Sequence, residues 1–293
     1  MRVPKTYVRR LLTGTAVMLL VLAGAPATLT QSEAQQPTAT SEAIATAAVA
    51  TADRAVTHAE NDRVPQGAAW TQHYFPSSDG SDVELHADVL LPEGLAAGER
   101  VPVILSVGAY FGHSGQQALE NHAHTGPSNR FNDLIEGTDL FNRSYALVMV
   151  DLRGFGGSTG CLDFMGPGEQ ADVQAAIDWA ASQPWSTGAV GMYGMSYDAI
   201  TGLVGNNLDQ DALKAVVAQE PIWDLHRSAW SNGVPRSTIV DVSRTYNEIA
   251  ILPQLPDDDE RYRSNAAYEQ VNPLCLLLNS LGYQDADPDS EFW

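Results

Sequence analysis

The most informative segment of this 293-residue chain reads Val190-Gly191-Met192-Tyr193-Gly194-Met195-Ser196-Tyr197-Asp198-Ala199. A short apolar run ends at Gly194, a serine follows two residues later, and apolar residues at helical spacing come directly after it. This order predicts a strand, a tight turn and a helix, with the Ser196 hydroxyl raised above the end of the strand. Backbone N–H groups at the start of that helix would face the hydroxyl, where they can stabilise an oxyanion.

The same segment allows a structural interpretation. Asp198 stands where the general form of this turn has a glycine, and the small residue Ala199 comes one position later. On the motif alone, Ser196 could be the N-cap of a helix that begins near Tyr197, because serine oxygens accept hydrogen bonds from the first N–H groups of helices. The surrounding sequence is needed to choose between the two.

The segments around the serine have the pattern of an α/β domain. Residues 83–91 alternate apolar and polar residues, which predicts a half-buried strand with one face in water. Nearly continuous apolar runs, typical of strands buried on both faces of a parallel sheet, occupy 101–107, 145–150 and 215–218. Residues 169–183 show helical spacing between the last two runs. This alternation predicts a mostly parallel sheet with its chemistry at the carboxyl ends of the strands.

Three blocks in this region resemble one family of hydrolases. They are the block Asp151-Leu152-Arg153-Gly154-Phe155-Gly156-Gly157-Ser158, the helical segment 172–179 followed by Trp185, and the serine segment itself. Together they resemble the X-Pro dipeptidyl-peptidase and cocaine esterase (CocE/NonD-like) family of α/β-hydrolases, whose serine turn has a small residue at the position of Ala199. The resemblance covers roughly 83–221, and it implies an α/β-hydrolase fold over 68–221 with a partial helical cap at 222–293.

The resemblance also implies roles for individual residues. Ser196 would be the nucleophile that forms an acyl intermediate, and the backbone N–H of Tyr197 would be one donor to the oxyanion. The second donor would be the hydroxyl of Tyr110, which follows the strand at 101–107. We expect Asp151 and Arg153 to form a structural ion pair and to have no catalytic part.

The implied reaction is cleavage of a peptide bond after proline, or of a carboxylic ester, without a cofactor. The substrate would be a small peptide or ester. Peptidase and esterase are not separated by the sequence. A dipeptidyl-peptidase needs a carboxylate for the free amine of its substrate, and Glu220 or an acidic residue of the predicted cap could provide it.

A serine nucleophile needs a histidine base and an acid, which in this fold follow the serine. Of seven histidines only His226 follows Ser196, and it lies at the start of the predicted cap, where the family does not place its base. We favour the interpretation that the chain is a C-terminally truncated fragment without the last sheet strands, the acid and the histidine. The other interpretation is an unusual base such as His113 or His226. An incomplete site would leave a catalytically silent hydrolase fold that only binds ligands.

The N-terminus predicts export. Basic residues precede an apolar run at 11–23, and Ala25-Pro26-Ala27 has the small-x-small form of a cleavage site, which predicts a signal peptide over 1–27. The run is short for a membrane anchor, so we expect a secreted or extracytoplasmic protein without stable membrane insertion. Residues 28–67 are rich in alanine and threonine and contain no aromatic residue, which predicts a disordered linker.

Composition excludes some other functions. The chain has 36 acidic and 16 basic residues and a formal net charge of −20, and Lys5 and Lys214 are its only lysines, so we expect no nucleic-acid partner. His122 and His124 near Glu120 lack a third ligand of suitable spacing, so the sequence predicts no metal site. The oligomeric state is left open.

The two cysteines, Cys161 and Cys275, favour one disulfide in an oxidising compartment. Two buried free thiols are the alternative, since sequence alone does not show that the sulfur atoms meet.

Overall fold

The computed structural model describes residues 55–113 and 125–237 and, beyond these, residues 245–246, 248–250, 257, 259–268, 272, 275 and 287–289. The predicted signal peptide, most of the predicted linker, His122 and His124 lie outside the described residues, as does much of the predicted cap. Within the described segments, none of the helices is both long enough and apolar enough to cross a bilayer.

A seven-stranded sheet, in the order β1-β2-β3-β5-β4-β6-β7, forms the centre of the described fold. Its strands are β1 (Val56–Thr57), β2 (Ala68–Pro76), β3 (Glu84–Pro92), β4 (Val101–Gly108), β5 (Ala146–Asp151), β6 (Ser186–Met195) and β7 (Leu213–Gln219). Strands β4 to β7 are mutually parallel, and β2 points the same way because β3 is antiparallel to both β2 and β5. The predicted mostly parallel sheet is confirmed.

The structure has five described helices. They are α1 (Asn132–Thr138), α2 (Pro167–Ser182), α3 (Tyr197–Asn207), α4 (Leu225–Ala229) and α5 (Glu260–Ala266), and a short hairpin of β8 (Trp230–Ser231) and β9 (Val234–Pro235) follows α4. Two of them, α2 and α3, are the helices predicted at 169–183 and after Ser196. Helix α2 begins with proline, whose fixed φ suits the first helical position, and its apolar stripe of Val173, Ala176, Ile177 and Ala180 is buried. All six residues of β5 are buried.

Two strands differ from their predicted environments. On β3 the predicted wet face is buried, since His86 and Asp88 have no exposed area and bond to other buried polar groups. The alternation of polar and apolar residues therefore identifies the two faces of β3 correctly, but it does not show that the polar face is exposed to water. Strand β7 was predicted to be buried on both faces, yet Val217 is 49% exposed, because β7 is the edge strand of the sheet in the described part of the chain.

The fold begins earlier than the predicted end of the linker at residue 67. Strand β1 pairs with β2, so that Val56 lies opposite Trp70, and Val64 is fully buried in the core. A few apolar side chains anchor this stretch although its average composition is that of a linker. The predicted boundary is therefore wrong for residues 55–67.

The described part of the predicted cap is anchored on β2 and β3. Tyr262 of α5 is fully buried, Tyr74 donates to Asp259 at 2.7 Å, and Asn265 donates to the carbonyl of Gly157 at 2.9 Å. The predicted disulfide between Cys161 and Cys275 is present and links the loop after β5 to the predicted cap.

The expected ion pair of Asp151 with Arg153 is wrong. Arg153 pairs with Asp172 at 2.7 Å and Asp79 at 2.8 Å, whereas Asp151 accepts from the backbone N–H of Gly157 and contacts His86, each at 2.9 Å. Asp172 is on α2 and Asp79 follows β2, so the guanidinium connects two elements across the turn after β5. Its part is structural, as expected, but its partners are different.

The disulfide is expected to contribute strongly to stability, because it closes a loop with a sequence separation of 114 residues. Replacing both cysteines by serine should lower the free energy of unfolding by about 3 to 4 kcal/mol, mainly through the larger entropy of the unfolded chain. Urea unfolding with and without reductant measures this, and reductant should not affect the double variant. Two titratable thiols in unfolded, unreduced protein would contradict the pairing.

Candidate active site

Ser196 lies at a strained turn between β6 and α3. Its φ of 62° and ψ of −119° are rare for a residue with a side chain, and such strain persists only where the surroundings enforce it. A Cβ at Gly194 would lie 2.4 Å from the carbonyl carbon of Asp198, so only glycine fits there. The backbone N–H of Ser196 donates to the carbonyl of Gln219 at 2.9 Å. The side chain makes no capping hydrogen bond with α3, so the N-cap interpretation is not supported.

Tyr110, the second oxyanion donor that the resemblance implies, contacts Tyr246 and Arg130, and Arg130 also contacts the serine turn. Tyr110 follows β4 and is 7% exposed, and its hydroxyl hydrogen-bonds to the hydroxyl of Tyr246. Ser196 lies near enough to the Tyr246 hydroxyl to lower its pKa, so the hydroxyl groups of Tyr110, Tyr246 and Ser196 are neighbours. Burial raises the pKa of Tyr246, and the neighbouring Tyr110 raises it further, which keeps this phenol protonated at neutral pH.

The side chain of Tyr197 is fixed by a buried carboxylate. Its hydroxyl donates to Glu169 at 2.8 Å, and the same carboxylate accepts backbone N–H groups of residues 163–165 at 2.9 to 3.1 Å. Burial, and after it the Asp163 carboxylate, raise the pKa of Glu169 to about 8. The backbone N–H of Tyr197 belongs to the first turn of α3, where N–H groups have no acceptor within the helix. This is the position that an oxyanion donor needs.

Arg130 joins the two sides of the site. Its guanidinium pairs with the buried Asp198, donates to the carbonyl of Met195 at 2.7 Å and lies 4.1 Å from the ring centre of Tyr110. Burial raises the pKa of Asp198 to about 7, and the guanidinium opposes this shift. Asp198, which departs from the general turn motif, thus connects the turn to Tyr110 through Arg130.

Sequence reasoning missed Tyr246 and Arg130. Tyr246 lies in a segment without a recognisable motif or period, and Arg130 is 68 residues from its partner Asp198. Only Asp198 could have indicated Arg130 from the sequence, because a buried acid at the position of a turn glycine is stable only with a cation beside it.

His113, considered above as an unusual base, is fully engaged elsewhere. Its Nδ1 contacts Asp257 at 2.6 Å and its Nε2 contacts Asp88 at 3.1 Å. Burial alone would lower the pKa of His113, but the two carboxylates raise it to about 10. His226 lies on α4. No base is assigned to Ser196 among the described residues.

A strained serine turn between a parallel strand and a helix, on a mostly parallel sheet, defines the α/β-hydrolase fold. The family model described as X-Pro dipeptidyl-peptidase (S15 family) matches residues 79–293. The chain therefore belongs to the X-Pro dipeptidyl-peptidase (S15) family.

Parts of the chain are similar to individual proteins. A protein from Streptomyces avermitilis named "Putative Xaa-Pro dipeptidyl-peptidase" is 29% identical over 163 residues, covering 49% of this chain and 24% of the relative. Cocaine esterase from Rhodococcus sp. is 33% identical over 87 residues, covering 29% of this chain and 15% of the esterase. The chain thus spans a quarter or less of these relatives. The crystal structure of a CocE/NonD family hydrolase from Staphylococcus aureus gives a TM-score of 0.49 at 22% identity, covering 70% of this chain and 36% of that one.

The packing of the turn predicts the effect of adding one methyl group. Gly194→Ala should lower the free energy of unfolding by about 3 kcal/mol, because its Cβ would overlap the backbone of Asp198. Gly137→Ala is a matched control, since its Cβ meets nothing within 4 Å on helix α1, and it should stabilise by up to about 1 kcal/mol. Urea unfolding followed by circular dichroism measures both. Equal stabilities of the two variants would contradict the strained turn.

Proposed function

We propose that the protein is an exported serine hydrolase that cleaves a peptide bond after proline, or a carboxylic ester, through an acyl-serine intermediate. The observation that carries the proposal is the backbone of Ser196, which lies in the left-handed region at the carboxyl end of β6, at the start of α3. Membership of the S15 family supports the same chemistry. The disulfide is compatible with an extracytoplasmic location.

In the proposed mechanism the Oγ atom of Ser196 attacks the acyl carbonyl carbon. The negative charge that develops on the carbonyl oxygen accepts hydrogen bonds from the backbone N–H of Tyr197 and the hydroxyl of Tyr110. The amine or alcohol leaves with a proton, and water then hydrolyses the acyl-serine ester. The base that accepts the serine proton is not assigned.

Tyr246 lies next to both groups that the proposed mechanism places around the substrate carbonyl. Its hydroxyl hydrogen-bonds to the hydroxyl of Tyr110 and lies near Ser196. We infer that this hydroxyl moves when an acyl group enters.

Glu220 is the residue that we assign to the substrate amine if the protein is a dipeptidyl-peptidase. It directly follows Gln219, whose carbonyl accepts the backbone N–H of Ser196, so it lies beside the nucleophile. Its carboxylate is on an exposed residue and can reach a ligand from solvent.

Covalent labelling tests the proposed nucleophile. A fluorophosphonate probe should add once to the purified protein, and peptide mapping should find the adduct on Ser196. Ser196→Ala should lose the label, whereas Ser182→Ala, which alters an exposed serine at the end of α2, should keep it. Equal labelling of Ser196→Ala would refute Ser196 as the nucleophile. Absence of labelling of the folded chain would refute hydrolysis by this chain and favour the alternative of a catalytically silent hydrolase fold that lacks the acid and the histidine.

The second oxyanion donor is tested by removing one oxygen atom. Tyr110→Phe should lower kcat on the order of 100-fold with little change in KM, because the lost hydrogen bond forms only in the transition state. Tyr145→Phe, at a half-buried tyrosine just before β5, is the control and should leave both constants unchanged. Rates on proline p-nitroanilides and on p-nitrophenyl esters measure the effect. A Tyr110→Phe variant with the normal kcat would exclude Tyr110 from the mechanism.

A further inference from the structure

A second polar cluster, formed by His86, Asp88 and His113, is buried between β3 and the loop after β4. We call it the histidine cluster. At most 1% of each side chain is exposed, and the ring of Tyr262 stacks on His113 at 4.0 Å. The cluster shares no residue with the serine site, and the proposed hydrolysis makes no use of it.

The three residues bring three possible metal ligands close to one another. Nε2 of His113 lies 3.1 Å from Oδ1 of Asp88, and Nε2 of His86 lies 3.9 Å from the same atom. All three ligand atoms lie within 4.8 Å of one another. A tetrahedral zinc ion with bonds of about 2.0 to 2.1 Å sets neighbouring ligand atoms about 3.4 Å apart, a value between the two distances to Asp88.

A further oxygen can complete the set. Oε1 of Gln72, on β2, lies 3.3 Å from Nε2 of His86. Two imidazoles, a carboxylate and a carboxamide oxygen would give four protein ligands. A buried site with four protein ligands is closed, which is typical of structural and not of catalytic zinc.

The far side of each ring is held in the way that metal-binding histidines require. Nδ1 of His86 contacts Asp151 at 2.9 Å, and Nδ1 of His113 contacts Asp257 at 2.6 Å. A carboxylate at Nδ1 fixes the ring orientation, directs Nε2 to the metal and increases its basicity. Both rings have this arrangement, and both direct Nε2 to Asp88.

The charges of the cluster also favour a cation. Oδ2 of Asp88 and Oδ1 of Asp151 are buried and have no hydrogen-bond partner among the described residues. With Asp257, three carboxylates surround two imidazoles. Both ring nitrogens of His113 face a carboxylate, so this ring is protonated in the metal-free cluster and compensates one of the three negative charges. The remaining buried negative charge is costly. A divalent ion bound at Asp88 would displace the Nε2 proton of His113 and make the net charge of the cluster one unit less negative.

We propose that His86, Asp88 and His113 bind a divalent first-row transition metal, foremost Zn²⁺, with Gln72 as the fourth ligand. The ion links β2, β3 and the loop after β4. Through Asp257 it also fixes the chain just before α5, so it stabilises the contact between the core and the described part of the predicted cap. The site is independent of the proposed hydrolase function.

Metal analysis of the whole protein tests the proposal. Protein expressed in medium supplemented with zinc, manganese and iron should contain close to one first-row transition-metal ion per chain by plasma mass spectrometry. His113→Gln and Asp88→Asn should lose it, and His73→Gln should keep it, since His73 lies on β2 against Trp179 outside the cluster. Asp151→Asn changes the contact with Nδ1 of His86 and the hydrogen bond from the N–H of Gly157, but it removes no ligand, so it should weaken metal affinity by about 10- to 100-fold.

A second measurement needs no variant. Wild-type protein unfolded in denaturant with a chelator, and then refolded with Zn²⁺, should melt at a higher temperature than protein refolded without it, because the ion binds only the folded chain. The proposal would be overturned if wild-type protein contained no more than traces of metal and if the samples refolded with and without Zn²⁺ melted at the same temperature. The cluster would then be a protonated histidine network. Equal metal content in wild type, His113→Gln and Asp88→Asn would overturn the proposal as well.

Discussion

The backbone of Ser196 is the constraint on which the rest of the site depends. A residue with a side chain at φ 62° carries strain of about 1 to 3 kcal/mol, which the surroundings must offset. Glycine at 194 allows Asp198 to pack against the turn, and the N–H of Ser196 is tied to β7 through Gln219. The strain places the hydroxyl above the sheet and the first N–H groups of α3 beside it. A relaxed turn would lose both features together.

Buried polar pairs transmit this geometry to neighbouring elements. Arg130 holds Asp198 in the turn and lies over the ring of Tyr110, so the two sides of the proposed oxyanion site share one support. Glu169 on α2 accepts a hydrogen bond from the Tyr197 hydroxyl on α3, and this contact connects the two helices. Arg130 and Asp198 are a buried ion pair, and Glu169 is a buried polar group; both are favourable only when every partner is in place. These residues are therefore expected to affect the site as strongly as residues that touch substrate.

The sequence predicted the sheet, helices α2 and α3 and the serine turn, because long apolar runs and helical spacing report local structure directly. The resemblance to a family placed Tyr110 near Ser196. Partners far apart in sequence were not predictable: Arg130 is 68 residues from Asp198, and His113 is 144 residues from Asp257. The alternation along β3 also predicted a solvent-exposed face, whereas the polar groups on that face are buried. A two-residue period distinguishes the two faces of a strand but does not show which of them faces water.

A crystal structure of the fluorophosphonate adduct tests the central claim most directly, because it shows the nucleophile and the oxyanion donors at once. We predict phosphorus bonded to Oγ of Ser196, with the phosphoryl oxygen about 2.7 to 3.1 Å from the N–H nitrogen of Tyr197 and from the hydroxyl of Tyr110, and with the hydroxyl of Tyr246 displaced. An adduct on another residue, or a phosphoryl oxygen directed away from both donors, would contradict it.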